Sequence, residues 1–118
     1  MALKHAQPFE AIDVRPLGPR LADTLTTSLI KTHSLQLMRV VLRAGESLPE
    51  HHVRGEITVQ CLEGQVRLPT AQHDIALSAG QVVLLPAAEP HAVRALTDTT
   101  LLVTVSLLAP PEAAPAPP

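Results

Sequence analysis

Gly80-Gln-Val-Val-Leu-Leu-Pro86-Ala-Ala88-Glu-Pro-His91-Ala-Val-Arg-Ala95 sets two short apolar runs around a proline-bounded turn. Gly80 suits the positive φ of the tight turn that precedes the first run. Val82–Leu85 is aliphatic, β-branched at two positions and too short for a helix, so it predicts a strand. Pro86 stops that strand, since proline brings no N–H to a ladder. His91 opens the next strand, predicted over His91–Leu96, and from there its ring can point into whatever the strands enclose.

The same alternation of runs and turns continues in both directions. Strands are predicted at Ser34–Arg43, ended by Ala44-Gly45, and at Glu56–Leu62, where Ile57, Val59 and Cys61 share one face and Glu56, Thr58 and Gln60 the other. Glu63-Gly64 turns the chain into Gln65–Leu68. A loop at Pro69–Gln72 leads to His73–Leu77, and Thr100–Leu108 closes the set. Helix signals are weak: Leu21–Ser28 admits one helical turn, but threonines at 24, 26 and 27 favour extended chain. Many short strands punctuated by turns, with no repeat of solenoid length, make the chain an all-β sandwich or barrel. Residues 1–20, with Pro8, Pro16 and Pro19, read as an extended N-terminal arm with a short strand near Phe9–Val14. Residues 21–108 form the barrel. Ala109–Pro118, nearly all Ala and Pro, buries too little apolar area to order itself and is expected to be a disordered tail.

Two segments resemble the paired motifs of the RmlC-like cupin superfamily. The second motif runs glycine, five residues, proline, one residue, glycine, two residues, histidine. Gly80, Pro86 and His91 match it in register, while Ala88 replaces the usual glycine and Ala95 stands where asparagine is common. Gly45-Glu-Ser-Leu-Pro-Glu50-His51-His52-Val-Arg-Gly-Glu56-Ile-Thr-Val-Gln60-Cys-Leu-Glu-Gly64 resembles the first motif, in which His-x-His and a later Glu ligate a metal before a closing glycine. Counted from Gly45, His51 takes the first histidine position, and Val53 and Ile57 fall where the second histidine and the Glu belong. Counted from His52 as the second histidine, Glu56 takes the Glu position and Glu50 the first histidine. Neither register supplies the full ligand set. The resemblance covers the core from Gly45 to Leu108. It implies a single cupin-type double-stranded β-helix, a jelly-roll barrel. It also implies a site for one divalent transition metal (Zn, Fe, Mn or Ni) drawn from His51, His52, His91 and Glu56, and a homodimer in which the arm crosses to the neighbour.

His91 stands on the sharper motif and is the leading site residue. Its competing role is a buried histidine satisfied by a carbonyl. His51 and His52 are adjacent, so a regular strand points them to opposite faces. A polar interior would select His52 with Glu56 and Gln60. An apolar interior would select His51, which shares parity with Val53, Ile57 and Val59. A parity break at Arg54-Gly55 would admit both. Gln60 and Arg39 are the candidates for contact with a substrate, Arg39 because an arginine at a pocket mouth favours a carboxylate; otherwise each is an ordinary surface group. Cys61, mid-strand among aliphatics, reads as a small hydrophobe. Glu63, before a turn, reads as solvated, and His5, His33 and His73 as surface residues.

Composition narrows the function. A net charge of −2 and no basic run argue against nucleic acid and anionic membrane as partners. Phe9 is the only aromatic residue, so a ligand must be held by aliphatic walls, hydrogen bonds or a metal rather than by stacking. The single cysteine rules out an intrachain disulfide. The N-terminal MALKHAQPFE lacks the apolar core of a signal peptide, and the expected location is cytoplasmic. No P-loop, dinucleotide fingerprint or Ser-centred elbow is present. The remaining functions are a metal-dependent enzyme of dioxygenase, isomerase or decarboxylase type, a small-molecule binding or sensor barrel with an incomplete metal site, and a barrel whose histidines only pack.

Overall fold

A computed structural model describes residues 5–108. The strands are β1 (Thr27–Lys31), β2 (Leu35–Leu42), β3 (Ser47–His51), β4 (Ile57–Glu63), β5 (Gln65–Pro69), β6 (Asp74–Ser78), β7 (Val82–Leu85), β8 (His91–Ala95) and β9 (Thr99–Ser106). They form a five-stranded sheet, β1-β2-β9-β4-β7, and a four-stranded sheet, β3-β8-β5-β6, with every pairing antiparallel. The core lies between the two sheets, as the all-β jelly-roll reading requires. No helix among the described residues is long and apolar enough to cross a membrane.

Register explains the core. In the larger sheet Met38, Val103, Val59 and Val83 align across four strands, and Val40, Leu101 and Cys61 form the next row. In the smaller sheet Leu48 faces Val93, and Val66 sits between Leu77 and Ala95. Side chains alternate faces along a strand, so each row presents one kind of surface inward. Leu68 and Leu101 have no exposed surface; burying a leucine side chain is worth roughly 1.5–3 kcal/mol each.

Three segments depart from the sequence reading. Phe9–Val14 forms no strand. Glu10 N donates to Gln7 O at 3.0 Å, and Phe9 takes a φ of 72°, so the chain reverses at Pro8-Phe9 instead of extending. The helical turn comes earlier than expected, as a 3-10 helix over Gly18–Asp23 that Pro19 starts, and β1 begins at Thr27, the last of the three threonines. β3 forms despite Pro49, because it is an edge strand that tolerates a missing donor.

The described part of the arm packs on its own barrel. His5 Nε2 lies 2.9 Å from Ser28 Oγ, and Ala6 N donates to Leu29 O at 2.9 Å. Further on, Glu63 takes hydrogen bonds from Thr100 Oγ1 at 2.6 Å, Leu17 N at 2.8 Å and Gly18 N at 3.1 Å. Glu63 is therefore half-buried and structural, correcting the expectation of a solvated residue. Burial pushes its carboxyl up, but those three donors outweigh burial and hold it below its ordinary value. The expected tail, Ala109–Pro118, and the first four residues of the arm lie outside the described residues.

Candidate functional site

A cavity of about 670 Å³ opens between the sheets. That size suits a small organic ligand. Its wall comes from the inward rows, chiefly Met38, Val40, Leu48, Val59, Leu101 and Val103, and is overwhelmingly aliphatic. Ile57 and Val59 face in, so β4 turns its apolar side to the cavity and Thr58 and Gln60 away from it.

The polar end of the cavity is made by β3 and β8. His51 pairs with His91 across the ladder, and their ring centroids are 4.3 Å apart with a 58° tilt. A bulge selects His51 over His52. Leu48 pairs with Val93 and His51 with His91, so β3 spends one more residue than β8 between those pairs. Without the bulge, Leu48 would share its face with His52; with it, Leu48 and His51 both line the cavity. The parity break thus falls before the histidines, not at Arg54-Gly55.

Both rings are oriented alike. His51 Nδ1 lies 3.0 Å from Pro49 O, and His91 Nδ1 lies 3.0 Å from Glu89 O. A carbonyl only accepts, so each Nδ1 donates, and in the neutral ring each Nε2 carries a lone pair. Neither Nε2 is bonded to a group among the described residues. His91 is 4% exposed, which fixes its ring, whereas His51 is on the rim.

The other expected site residues lie elsewhere. His52 and Glu56 are exposed and do not line the cavity. Gln60 is on the outer face of β4, and Arg39 on the outer face of β2, between Thr27 and Leu102. Parity accounts for all four. The sequence reading missed Arg54, which does line the cavity and is exposed at its rim. It makes no salt bridge with a described carboxylate. The signal was Arg54-Gly55 itself, read only as a possible parity break. Cys61 is buried, and burial pushes its thiol up, so it stays protonated as a packing residue.

The donor set does not fit a complete metal centre. His51 and His91 are two imidazoles in the right tautomer, with the second nitrogen held by a carbonyl as metal-bound histidines usually have it. No third His, Cys, Asp or Glu joins them among the described residues, and a catalytic ion generally takes three protein ligands.

Comparison with known proteins agrees with the architecture. The model of the cupin domain family matches residues 38–107. A conserved protein of unknown function from Streptococcus pyogenes is 25% identical, with 96% of this chain and 100% of that one covered and a TM-score of 0.72. A cupin superfamily protein from Desulfitobacterium hafniense is 21% identical over 87% of this chain and all of its own, with a TM-score of 0.72. An RmlC-like cupin with a double-stranded β-helix fold from Methanocaldococcus jannaschii is 19% identical over 70% of this chain and 78% of its own, at 0.64. No curated protein matches the chain by sequence.

Proposed function

The chain belongs to the cupin domain family, and from that premise we propose that it is a binding barrel for a small molecule with an aliphatic body. The observation that carries this reading is the 670 Å³ cavity, aliphatic on its walls and polar only toward His51, His91 and a few rim groups. Such a pocket gains affinity from the apolar surface it removes from water and orientation from a few polar contacts. Untagged protein, denatured and analysed by mass spectrometry, is expected to release a small molecule with an aliphatic body. Release of none, together with an unfolding midpoint that no aliphatic compound raises, overturns the reading.

The shared ring orientation favours a second reading, a divalent transition metal (Zn, Fe, Mn or Ni) at the two Nε2 atoms. The bound ligand would have to complete its coordination. Elemental analysis tests this directly: stoichiometric metal that is lost in His91→Ala supports it, and metal absent, or unchanged by that substitution, removes it.

Within the same proposal the protein is a cytoplasmic homodimer. Val82 and Leu84 are exposed on β7, an edge strand of the larger sheet, which supports pairing. Light scattering at micromolar concentration should give twice the chain mass; a monomer refutes the pairing.

A further inference from the structure

Six polar side chains line the cavity: Thr26, Gln36, His51, Arg54, His91 and Ser106. Three are already engaged. Gln36 Nε2 donates to Ser28 Oγ at 2.9 Å. Thr26 Oγ1 accepts from Val41 N at 2.9 Å. Ser106 Oγ donates to Leu108 O at 3.4 Å. Beyond the Gln36 amide oxygen, what remains is two imidazole Nε2 atoms that only accept in the neutral ring, and one guanidinium that only donates.

From this complementarity we infer that the ligand is an aliphatic hydroxy acid. The inference rests on the binding reading above and names its ligand class. The alkyl body occupies the aliphatic wall. The carboxylate takes the planar fork of Arg54, which has no acidic partner among the described residues. The hydroxyl, unlike the carboxylate, carries a proton, and donates it to Nε2 of His51 or His91. A plain fatty acid leaves the imidazoles facing an acceptor. A plain alcohol leaves Arg54 without its anion. A sugar or nucleobase finds no Phe, Tyr or Trp ring to stack on, since Phe9, the one such residue in the sequence, is fully exposed and away from the cavity.

Isothermal titration calorimetry of the full chain with 2- and 3-hydroxydecanoate, decanoate and 1-decanol, each below its micelle concentration, tests this. At least one hydroxydecanoate should bind several-fold more tightly than decanoate and than decanol. Shortening it by one methylene should weaken binding roughly fourfold. Arg54→Gln should weaken the hydroxy acid about tenfold or more and leave decanol unchanged, the loss expected for a charge-assisted contact. At least one of His51→Leu, on the exposed ring, and His91→Leu should remove the preference for the hydroxy acid over decanoate. Equal binding of decanoate and both hydroxy acids overturns the inference while the binding reading survives. So does an Arg54→Gln effect equal for acid and alcohol. If none of the four compounds binds, the binding reading fails with it.

Discussion

The two ends of the barrel treat their polar groups in opposite ways. At the closed end, the turn between β4 and β5 meets the turn between β8 and β9. Thr99 Oγ1 donates to Thr97 O at 2.8 Å, Thr100 Oγ1 to Glu63 Oε1, and the Cys61 thiol to Glu63 O at 3.3 Å, with all three residues sealed from solvent. Polar atoms there are consumed by the fold. At the mouth, two imidazole nitrogens and a guanidinium have no partner among the described residues, on an aliphatic background. His51 and Arg54 reach solvent at the rim, so these groups carry no burial penalty and stay free to meet a ligand that enters the cavity. Polarity consumed by the fold marks structure at one end, and polarity left open beside the cavity is what the binding proposal rests on at the other.

Substituting the closed end is the strongest way to break this contrast. Gly64 has a φ of +87°, and a Cβ built there collides with Asp98 O and with Thr99. Gly64→Ala adds left-handed strain to a clash against backbone that cannot move aside. It should cost about 3 kcal/mol, near the upper range for single substitutions. Thermal denaturation measures this; a loss under 1 kcal/mol would show that the closed end is as adaptable as the mouth.

Glu63→Gln is the next largest. It keeps the shape and loses the charge that Thr100, Leu17 and Gly18 hydrogen-bond, at a cost of about 1–2 kcal/mol at pH 7. The sign of its pH dependence follows from the lowered carboxyl. Glu63 titrates lower in the folded chain than its ordinary value of 4.5. Its stabilisation is thus complete above that value and is lost as pH falls through the folded one. Unfolding midpoints of the two proteins should differ at pH 7 and converge below pH 4.5; a gap that stays constant to pH 3 would mean that the charge contributes nothing.

The barrel was legible in the sequence because strand patterning is local. Ile57, Val59 and Cys61 alternate so cleanly that their burial followed from parity alone, and Val82–Leu85 ends where Pro86 says it must. The site was legible only in part, because its geometry depends on pairing between distant segments. His91 could be placed from its motif. The choice between His51 and His52 turned on one extra residue in β3 relative to β8, and a bulge leaves no clear mark in a single strand's sequence. Glu63 misled for the same reason: its three donors come from 37 to 46 residues away along the chain. Arg54 was hidden because a loop arginine looks the same whether it faces open solvent or a cavity rim.

The smallest expected effect is the sharpest comparison with Gly64. Ala88 stands at the motif position where glycine is usual, and it takes a φ of 62°. Its N–H donates to Val53 O at 3.0 Å, tying the turn before β8 to the segment that carries Arg54. An alanine forced left-handed costs about 1–2 kcal/mol, whereas glycine there costs only extra entropy in the unfolded chain, about 0.5–1 kcal/mol. Ala88→Gly should therefore stabilise the protein by about 0.5–1 kcal/mol, a rise of a few degrees in the unfolding midpoint. The same exchange run in the opposite direction at the closed end, Gly64→Ala, is the most damaging substitution named. Each position takes a positive φ, but only Gly64 is also walled in by backbone. A loss of stability in Ala88→Gly would mean that the side-chain methyl, exposed though it is, does more for the mouth than relief of its backbone strain can return.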